Sequence, residues 1–433
     1  MIKKKVQNIK SSHQANLENQ GSDNMKQGWE IKKLGEVSEI LNGGTPKTNI
    51  AEYWDGEIYW ITPADLGKLK KPTVDDTTRK ITRLGLEKSS AKLFPENSII
   101  LSTRAPIGHL AINEVPMSTN QGCRGIVPSK KLDTWYLYYF LKKNVELLNS
   151  LGTGATFKEL STKALAGVEI PLPPLPEQQR IVSILDKAFA AIDKAKANAE
   201  QNLNNAKELF ESYLQEVFKN KGDGWEEKKL GEVYDVRDGT HDSPKYHNQG
   251  YPLVTSKNLK NHKLTFDNIK FISETDYLNI NKRSKVDVGD VLFAMIGTIG
   301  NPVVIEDEPN YAIKNVALFK VGNNQNSYFL KYFLDSKQTI EKMMRDAKGT
   351  TQKFVGLGYL RSFPILLPPL KDQQTIVRQL DALRAETQKL EGLYQKKIDN
   401  LEELKKSILQ KAFSGELSGG EPIESITEKL EIV

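Results

Sequence analysis

Gly28-Trp29-Glu30, followed by Lys32-Lys33-Leu34-Gly35-Glu36-Val37, recurs as Gly224-Trp225-Glu226, followed by Lys228-Lys229-Leu230-Gly231-Glu232-Val233. The offset from 28 to 224 is 196 positions. Pro173-Pro174-Leu175, Glu177-Gln178-Gln179 and Ile181-Val182 recur as Pro368-Pro369-Leu370, Asp372-Gln373-Gln374 and Ile376-Val377, and here the offset from 173 to 368 is 195. Near-equal offsets at the two ends of a unit mean one module, a globular part plus a helix, written twice. A duplicated module gives an approximate two-fold arrangement from one chain. Such arrangements suit partners and targets that come in halves.

The chain has 433 residues. The repeat divides it into two globular units of about 145 residues, each large enough to bury its own core. No apolar run reaches the roughly eighteen residues of a membrane span. The basic N-terminus lacks the apolar stretch and cleavage site of a secretory signal. A cytoplasmic setting is expected. Cys123 is the only cysteine, so an internal disulfide is excluded. Its counterpart falls near Ala317, which reads as a small packed side chain and not a nucleophile. The formal charge of +6 permits nucleic-acid binding without requiring it.

Residues 1–27 are polar and aperiodic, a leader expected to be disordered. Residues 28–175 read as a mixed α/β domain. Strand-like runs occur at Ile58–Ile61, Ser98–Ser102 and Gly125–Val127, and a helical patch follows at Trp135–Leu148. The second copy, 224–369, matches in order: Leu253-Val254-Thr255 for Trp60-Ile61-Thr62, Asp290–Ala294 for Ser98–Ser102, and Tyr328–Met344 for Trp135–Leu151. Between these anchors the copies diverge, so two domains of one build carry different loop chemistry.

Each domain leads into a long helix, 176–220 and 370–416, and 417–433 forms a tail. Apolar or small residues fall at Ile181, Leu185, Ala188, Ile192, Ala195, Ala199, Ala206, Leu209 and Tyr213, with Asn202 as a break. In the second helix they fall at Ile376, Leu380, Leu383, Leu390, Tyr394, Leu401, Leu404 and Ile408, with Thr387 and Lys397 as breaks. The alternating four-and-three spacing is a heptad seam. Two matched seams in one chain predict an antiparallel coiled coil. A helix of about 40 residues spans roughly 60 Å.

No catalytic signature is legible. There is no nucleotide-binding GxxxxGK[ST] loop, GxSxG elbow or HExxH. The five histidines lack metal-ligand spacing with the lone cysteine. The divergent segments instead carry side chains suited to DNA. In the first copy these are Arg79, Lys80, Arg83, Thr103, Arg104, Asn120, Gln121, Arg124, Thr153, Thr156 and Lys158. In the second they are Lys245, Lys257, Asn258, Arg283, Lys285, Lys314, Asn315, Thr350, Thr351, Gln352 and Lys353. Arg and Lys read guanine, Asn and Gln read adenine, and hydroxyls and lysines hold phosphates. The segments 153–158 and 348–353 recur at equivalent places and are the best phosphate-contacting candidates.

Taken together, the paired Gly-Trp-Glu…Leu-Gly-Glu-Val openings, the 171–182 element with its copy at 366–377, and the two heptad helices resemble the specificity subunit of type I restriction–modification systems. The resemblance covers 28 to about 417. It implies two pseudo-symmetric target recognition domains, each reading half of a bipartite, asymmetric site in double-stranded DNA. The two helices would form the spacer that sets the gap. Two modification subunits would dock there and methylate adenine N6, and two restriction subunits would join them to cleave DNA. S-adenosylmethionine, ATP and Mg2+ would belong to those partners, leaving this chain without catalytic, cofactor or metal residues of its own. Two other readings stay open at this level. One is a helical scaffold whose DNA affinity collapses with salt and shows no preferred site. The other is an unrecognised nuclease or methyltransferase.

Overall fold

A computed structural model describes residues 28–104, 106–154, 158–220 and 222–418. The leader 1–27 and the tail from 419 onward lie outside the described residues. Contacts divide the chain into two units. Unit 1 comprises the residues up to Asn198 and those from Lys397 on, and unit 2 comprises Ala199–Lys396. The sequence places boundaries at the ends of the long helices. The contacts place them in the middle of both, because each half-helix packs into a different core.

In unit 1 an antiparallel run of strands is ordered Ser38–Asn42, Cys123–Pro128, Ile99–Ser102 and Leu110–Asn113, with Thr73–Val74 added in parallel at the edge. Unit 2 repeats the four-strand order with Asp235–Asp238, Val316–Lys320, Val291–Ala294 and Gly300–Val304. A second sheet in each unit pairs Trp54–Ile61 with Arg79–Ile81 and Met117–Thr119, or Tyr251–Val254 with Lys270–Ile272 and Ala312–Ile313. The strand register aligns Ser102 and Cys123 with Ala294 and Val316, so the counterpart of Cys123 is Val316, one residue before Ala317. Burial pushes the Cys123 thiol up to about 12, and the residue is a packed side chain.

The repeated sequence elements are neighbours in space. Glu30–Lys33 pairs antiparallel with Glu169–Leu172, and Glu226–Lys229 with Pro364–Leu367. The turn after each opening strand is closed by Glu36 Oε2 accepting from Lys33 N (3.1 Å) and Glu232 Oε2 from Lys229 N (3.0 Å). A Cβ on Gly35 would lie 3.0 Å from that of Ala166, and one on Gly231 2.9 Å from that of Arg361, so both glycines allow close packing. Gln178 and Gln373 are buried at the helix starts. Gln178 accepts from Asp133 N (2.8 Å) and donates to the carbonyls of Lys131 (2.9 Å) and Pro173 (2.8 Å). Gln373 accepts from Asn326 N (3.0 Å) and donates to Pro368 O (2.9 Å) and Gln325 Oε1 (2.8 Å). The expected single helix at 135–148 is two helices, Thr134–Lys143 and Val145–Leu151. Asn144 breaks it by donating its amide to Phe140 O (2.8 Å). The copy breaks at Ser336, whose hydroxyl donates to Phe333 O (2.8 Å).

The long helices span Leu175–Lys219 and Leu370–Ser414. In unit 1, Ile181, Leu185, Ala188 and Ile192 are buried with Leu401, Ile408, Ala412 and Phe413. Lys405 pairs with Asp193 (2.8 Å), Lys196 with Glu402, and Arg180 donates to Leu417 O (2.8 Å). Ascending numbers face descending ones, so the pairing is antiparallel. In unit 2, Tyr213 meets Gln379 (3.2 Å), and the Arg384 guanidinium sits 4.3 Å from the centre of the Phe210 ring. That order is also antiparallel. Two seam assignments need correction: Leu209 and Leu390 are exposed at 51% and 36%. After Ala206 the buried positions are Phe210, Leu214 and Phe218, because these turns face the aromatic helix Ser327–Asp335 of unit 2 as well as the partner helix. Thr387, expected as a break, is buried.

Candidate nucleic-acid interface

Register places Asn42 and Asp238 at equivalent strand ends, opposite Arg124 and Ala317. The next residue must be glycine. A Cβ on Gly43 would lie 1.8 Å from the Asn120 carbonyl oxygen, and one on Gly239 2.2 Å from that of Ile313. The close crossing brings Asn120-Gln121 in unit 1, and Lys314-Asn315 in unit 2, to the end of the sheet. Asn120 N donates to Ile61 O (3.2 Å) as Lys314 N does to Val254 O (2.8 Å), so these candidates are structural counterparts.

The two candidate loops also correspond. Thr153 and Glu159 exchange backbone hydrogen bonds of 3.0 and 2.8 Å, and Lys348 and Phe354 exchange bonds of 3.0 and 2.9 Å. Thr153 and Lys158 are exposed, as are Thr350, Thr351, Gln352 and Lys353. Lys353 Nζ donates to Met344 O (3.1 Å). Thr156 lies outside the described residues. Each loop closes beside the central strand through one further bridge, Arg104 with Glu159 and Ile296 with Phe354.

The edge of unit 1 is an ion-pair network. Glu159 Oε1 lies 3.0 Å from Arg104 Nη2 and 3.5 Å from Arg124 Nη2. Arg124 is 8% exposed and donates to Thr162 Oγ1 (3.2 Å) and to the carbonyls of Gln121 and Cys123 (3.0 Å each). Burial lowers its pKa and Glu159 opposes that shift. Thr162 in turn donates to Asn42 Oδ1 (2.8 Å). Arg124 therefore holds Glu159 and leaves the DNA-contacting set. Thr103 is fully buried and leaves it too. Asn120 Oδ1 accepts from Gly122 N (2.9 Å), and Gln121 is exposed beside Thr45. On the second sheet, the Arg79 guanidinium stacks 3.6 Å from the centre of the Trp54 ring, and Lys80 lies 4.2 Å from that of Tyr59. Trp60 Nε1 donates to Gly44 O (2.9 Å), tying this arm to the same strand end. Arg83 is exposed on the short helix Arg83–Glu87.

Unit 2 builds the same edge from other groups. Asp238 pairs with Arg283 and with His241 Nε2 (2.8 Å), whose Nδ1 faces Asn315 Oδ1 (2.8 Å). Lys314 Nζ donates to Ser243 Oγ (2.6 Å) and Asp242 O (2.8 Å). A polar cavity of about 330 Å³ opens here, lined by Thr240, Asp242, Ser243, Asp276, Asn279 and Arg283 among others. Lys245 and Lys257 are exposed. Asn258 is buried, accepting from Thr255 N (3.0 Å) and donating to Thr265 O (3.1 Å), and is a turn residue. Lys285 pairs with Asp287 (3.0 Å) beside Lys320, at the opposite end of the strand Val316–Lys320. Buried Asn258 leaves the candidate set, and Lys285 stays exposed away from the strand end that carries the other candidates. Asp238, His241 and Glu159 were missed by the sequence reading. Acidic groups and a solitary histidine carry no DNA signal until their cationic neighbours are placed around them.

Among the described residues no group of three or more His, Cys, Asp or Glu converges to hold a metal ion, and no helix is long and apolar enough to cross a membrane.

Residues 26–204 and 222–402 each match the type I restriction modification DNA specificity domain. The chain is 30% identical over 417 residues to the type I restriction enzyme MjaIX specificity subunit of Methanocaldococcus jannaschii, covering 90% of this chain and 93% of that protein. It is 24% identical to the EcoKI specificity subunit of Escherichia coli, covering 91% and 90%. A solved structure from work on complex assembly and conformational transition of the type I R-M system superposes with a TM-score of 0.70 at 21% identity, over 90% of this chain and 99% of that one. The HsdS subunit from Thermoanaerobacter tengcongensis superposes at 0.61 with 20% identity, over 92% and 99%. Two domain matches spanning both repeats, with full-length relatives of the same build, make this chain a member of the type I restriction–modification specificity subunits.

Proposed function

We propose that each unit reads one half of a bipartite, asymmetric sequence in double-stranded DNA. One observation carries this reading: equivalent strand ends and hairpin loops present different polar groups in the two units. One build with two chemistries suits two unlike half-sites. Exposed loop hydroxyls and lysines position the backbone, while side chains at the strand ends reach base edges.

The long helices set the gap between half-sites and dock two modification subunits, which methylate adenine N6. Restriction subunits join that complex for cleavage. S-adenosylmethionine, ATP and Mg2+ act in those partners, this chain performs no catalytic step, and the assembly works in the cytoplasm.

The test is methylation mapping by long-read sequencing in cells carrying this chain and its modification partner, with and without a four-residue insertion within 195–206. The expected result is one bipartite methylated sequence. The insertion changes its gap, or abolishes assembly, and leaves any half-sequence still read unaltered. Altered half-sequences, or methyl transfer by the purified chain alone, would overturn the proposal.

A further inference from the structure

The two hairpin bridges occupy one backbone position with opposite chemistry. Arg104 lies two residues beyond the strand Ile99–Ser102, and Ile296 two residues beyond Val291–Ala294. Leu160 N donates to Thr103 O (2.9 Å) as Val355 N does to Met295 O (3.0 Å), fixing the two hairpins in the same register. Bridge partners put their side chains on one face. Unit 1 therefore presents a guanidinium and a carboxylate there, and unit 2 presents two hydrocarbon side chains.

We propose that this position sets one base pair in each half-site: Arg104 with Glu159 selects a G·C pair, and Ile296 with Phe354 selects an A·T pair. The proposal rests on the DNA-reading function above. The Arg104 side chain is 45% exposed, and its remaining N–H donors have no other partner among the described residues. The same Glu159 oxygen lies 3.5 Å from the buried Arg124, which ties the Arg104 pair to the strand Cys123–Pro128. A half-exposed guanidinium fork matches guanine O6 and N7, and a carboxylate beside it can accept from cytosine N4. Phe354 is 39% exposed, and Ile296 lies half-buried beside it against the core of unit 2. Neither Phe354 nor Ile296 can hydrogen-bond a phosphate. Apolar contact with the thymine methyl group is the major-groove interaction open to them.

The test is selection of random-sequence duplexes by the full chain with its modification subunits, comparing wild type, Arg104→Ala, Arg104→Lys and Phe354→Ser. Arg104→Ala is expected to lose about tenfold discrimination at one G·C position of one half-site, leaving the other half as an internal check of folding. Arg104→Lys keeps the charge but not the fork, so it keeps the salt dependence and still loses discrimination. Phe354→Ser is expected to relax one A·T position in the opposite half. If Arg104→Ala weakens all sequences equally and flattens the salt dependence, Arg104 is a phosphate contact and the inference falls. It falls equally if no base preference moves in any variant. If the wild type selects no two-part sequence, it is the broader DNA-reading function that falls.

Discussion

The Lys143 ammonium lies 5.6 Å from the centre of the Phe413 ring in the core of unit 1. Burial pulls its pKa from 10.5 to about 8. The folded state therefore disfavours the protonated form. The cost is complete below pH 8, fades as pH rises toward 10.5, and vanishes above it. Lys143→Met should stabilise unit 1 near neutrality, and its advantage over wild type should shrink from pH 8 to 10.5. Urea denaturation of both proteins at pH 7, 8.5 and 10 measures this. The Cys123 thiol, pushed up to about 12, works in the other direction above pH 9 but is common to both proteins and cancels in the difference. Residue roles of this kind were poorly legible in the sequence. The repeat singled out Gln178 and Gln373, but only the fold shows them buried and bonded to the preceding helix starts. Arg124 resembled a guanine reader by type, and burial beside Glu159 makes it a support.

Each long helix ends in an aromatic plug. Phe413 lies 5.0 Å from Tyr136 and 5.6 Å from Phe140, ring centre to ring centre, and Phe218 lies 5.4 Å from Phe329 and 5.6 Å from Phe333. Removing either ring leaves a cavity between aromatic side chains that cannot collapse onto one another. Phe413→Ala should cost unit 1, and Phe218→Ala unit 2, about 3–5 kcal/mol each. Hydrogen exchange resolved by unit should show each loss confined to its own unit, and a loss spread evenly would refute the assignment. The seam itself was legible from spacing: Ile181, Leu185, Ile192, Leu380, Leu401 and Ile408 are all buried. Tyr213, Ile376, Leu383 and Leu404 sit half-buried beside it. Spacing failed at Leu209 and Leu390. A heptad assumes that the partner helix alone covers the face, and near Phe210–Phe218 the core of unit 2 covers it too.

At the scale of the chain, the duplication was legible because each repeat closes on itself, its first strand paired with its last. The division into units was not, because sequence order hides which distant segment completes a core. Unit 1 takes Leu401, Ile408, Leu409, Ala412 and Phe413 from the far end of the chain. Burying one large apolar side chain contributes about 1.5–3 kcal/mol. Together the four large ones, Leu401, Ile408, Leu409 and Phe413, approach the whole stability of a typical domain, about 5–15 kcal/mol. A chain ended at Lys396 keeps all of unit 2 and every strand of unit 1 but strips the second helix from the face of Ile181, Leu185 and Ile192. Unit 1 should then lose amide protection while unit 2 retains it, although the missing segment contributes no strand to either. A separate peptide covering 397–418, supplied in excess, should restore protection to unit 1, since binding to the folded form alone stabilises it in proportion to the logarithm of its concentration. Unchanged protection of unit 1 in the shortened chain would mean that its core closes without the second helix.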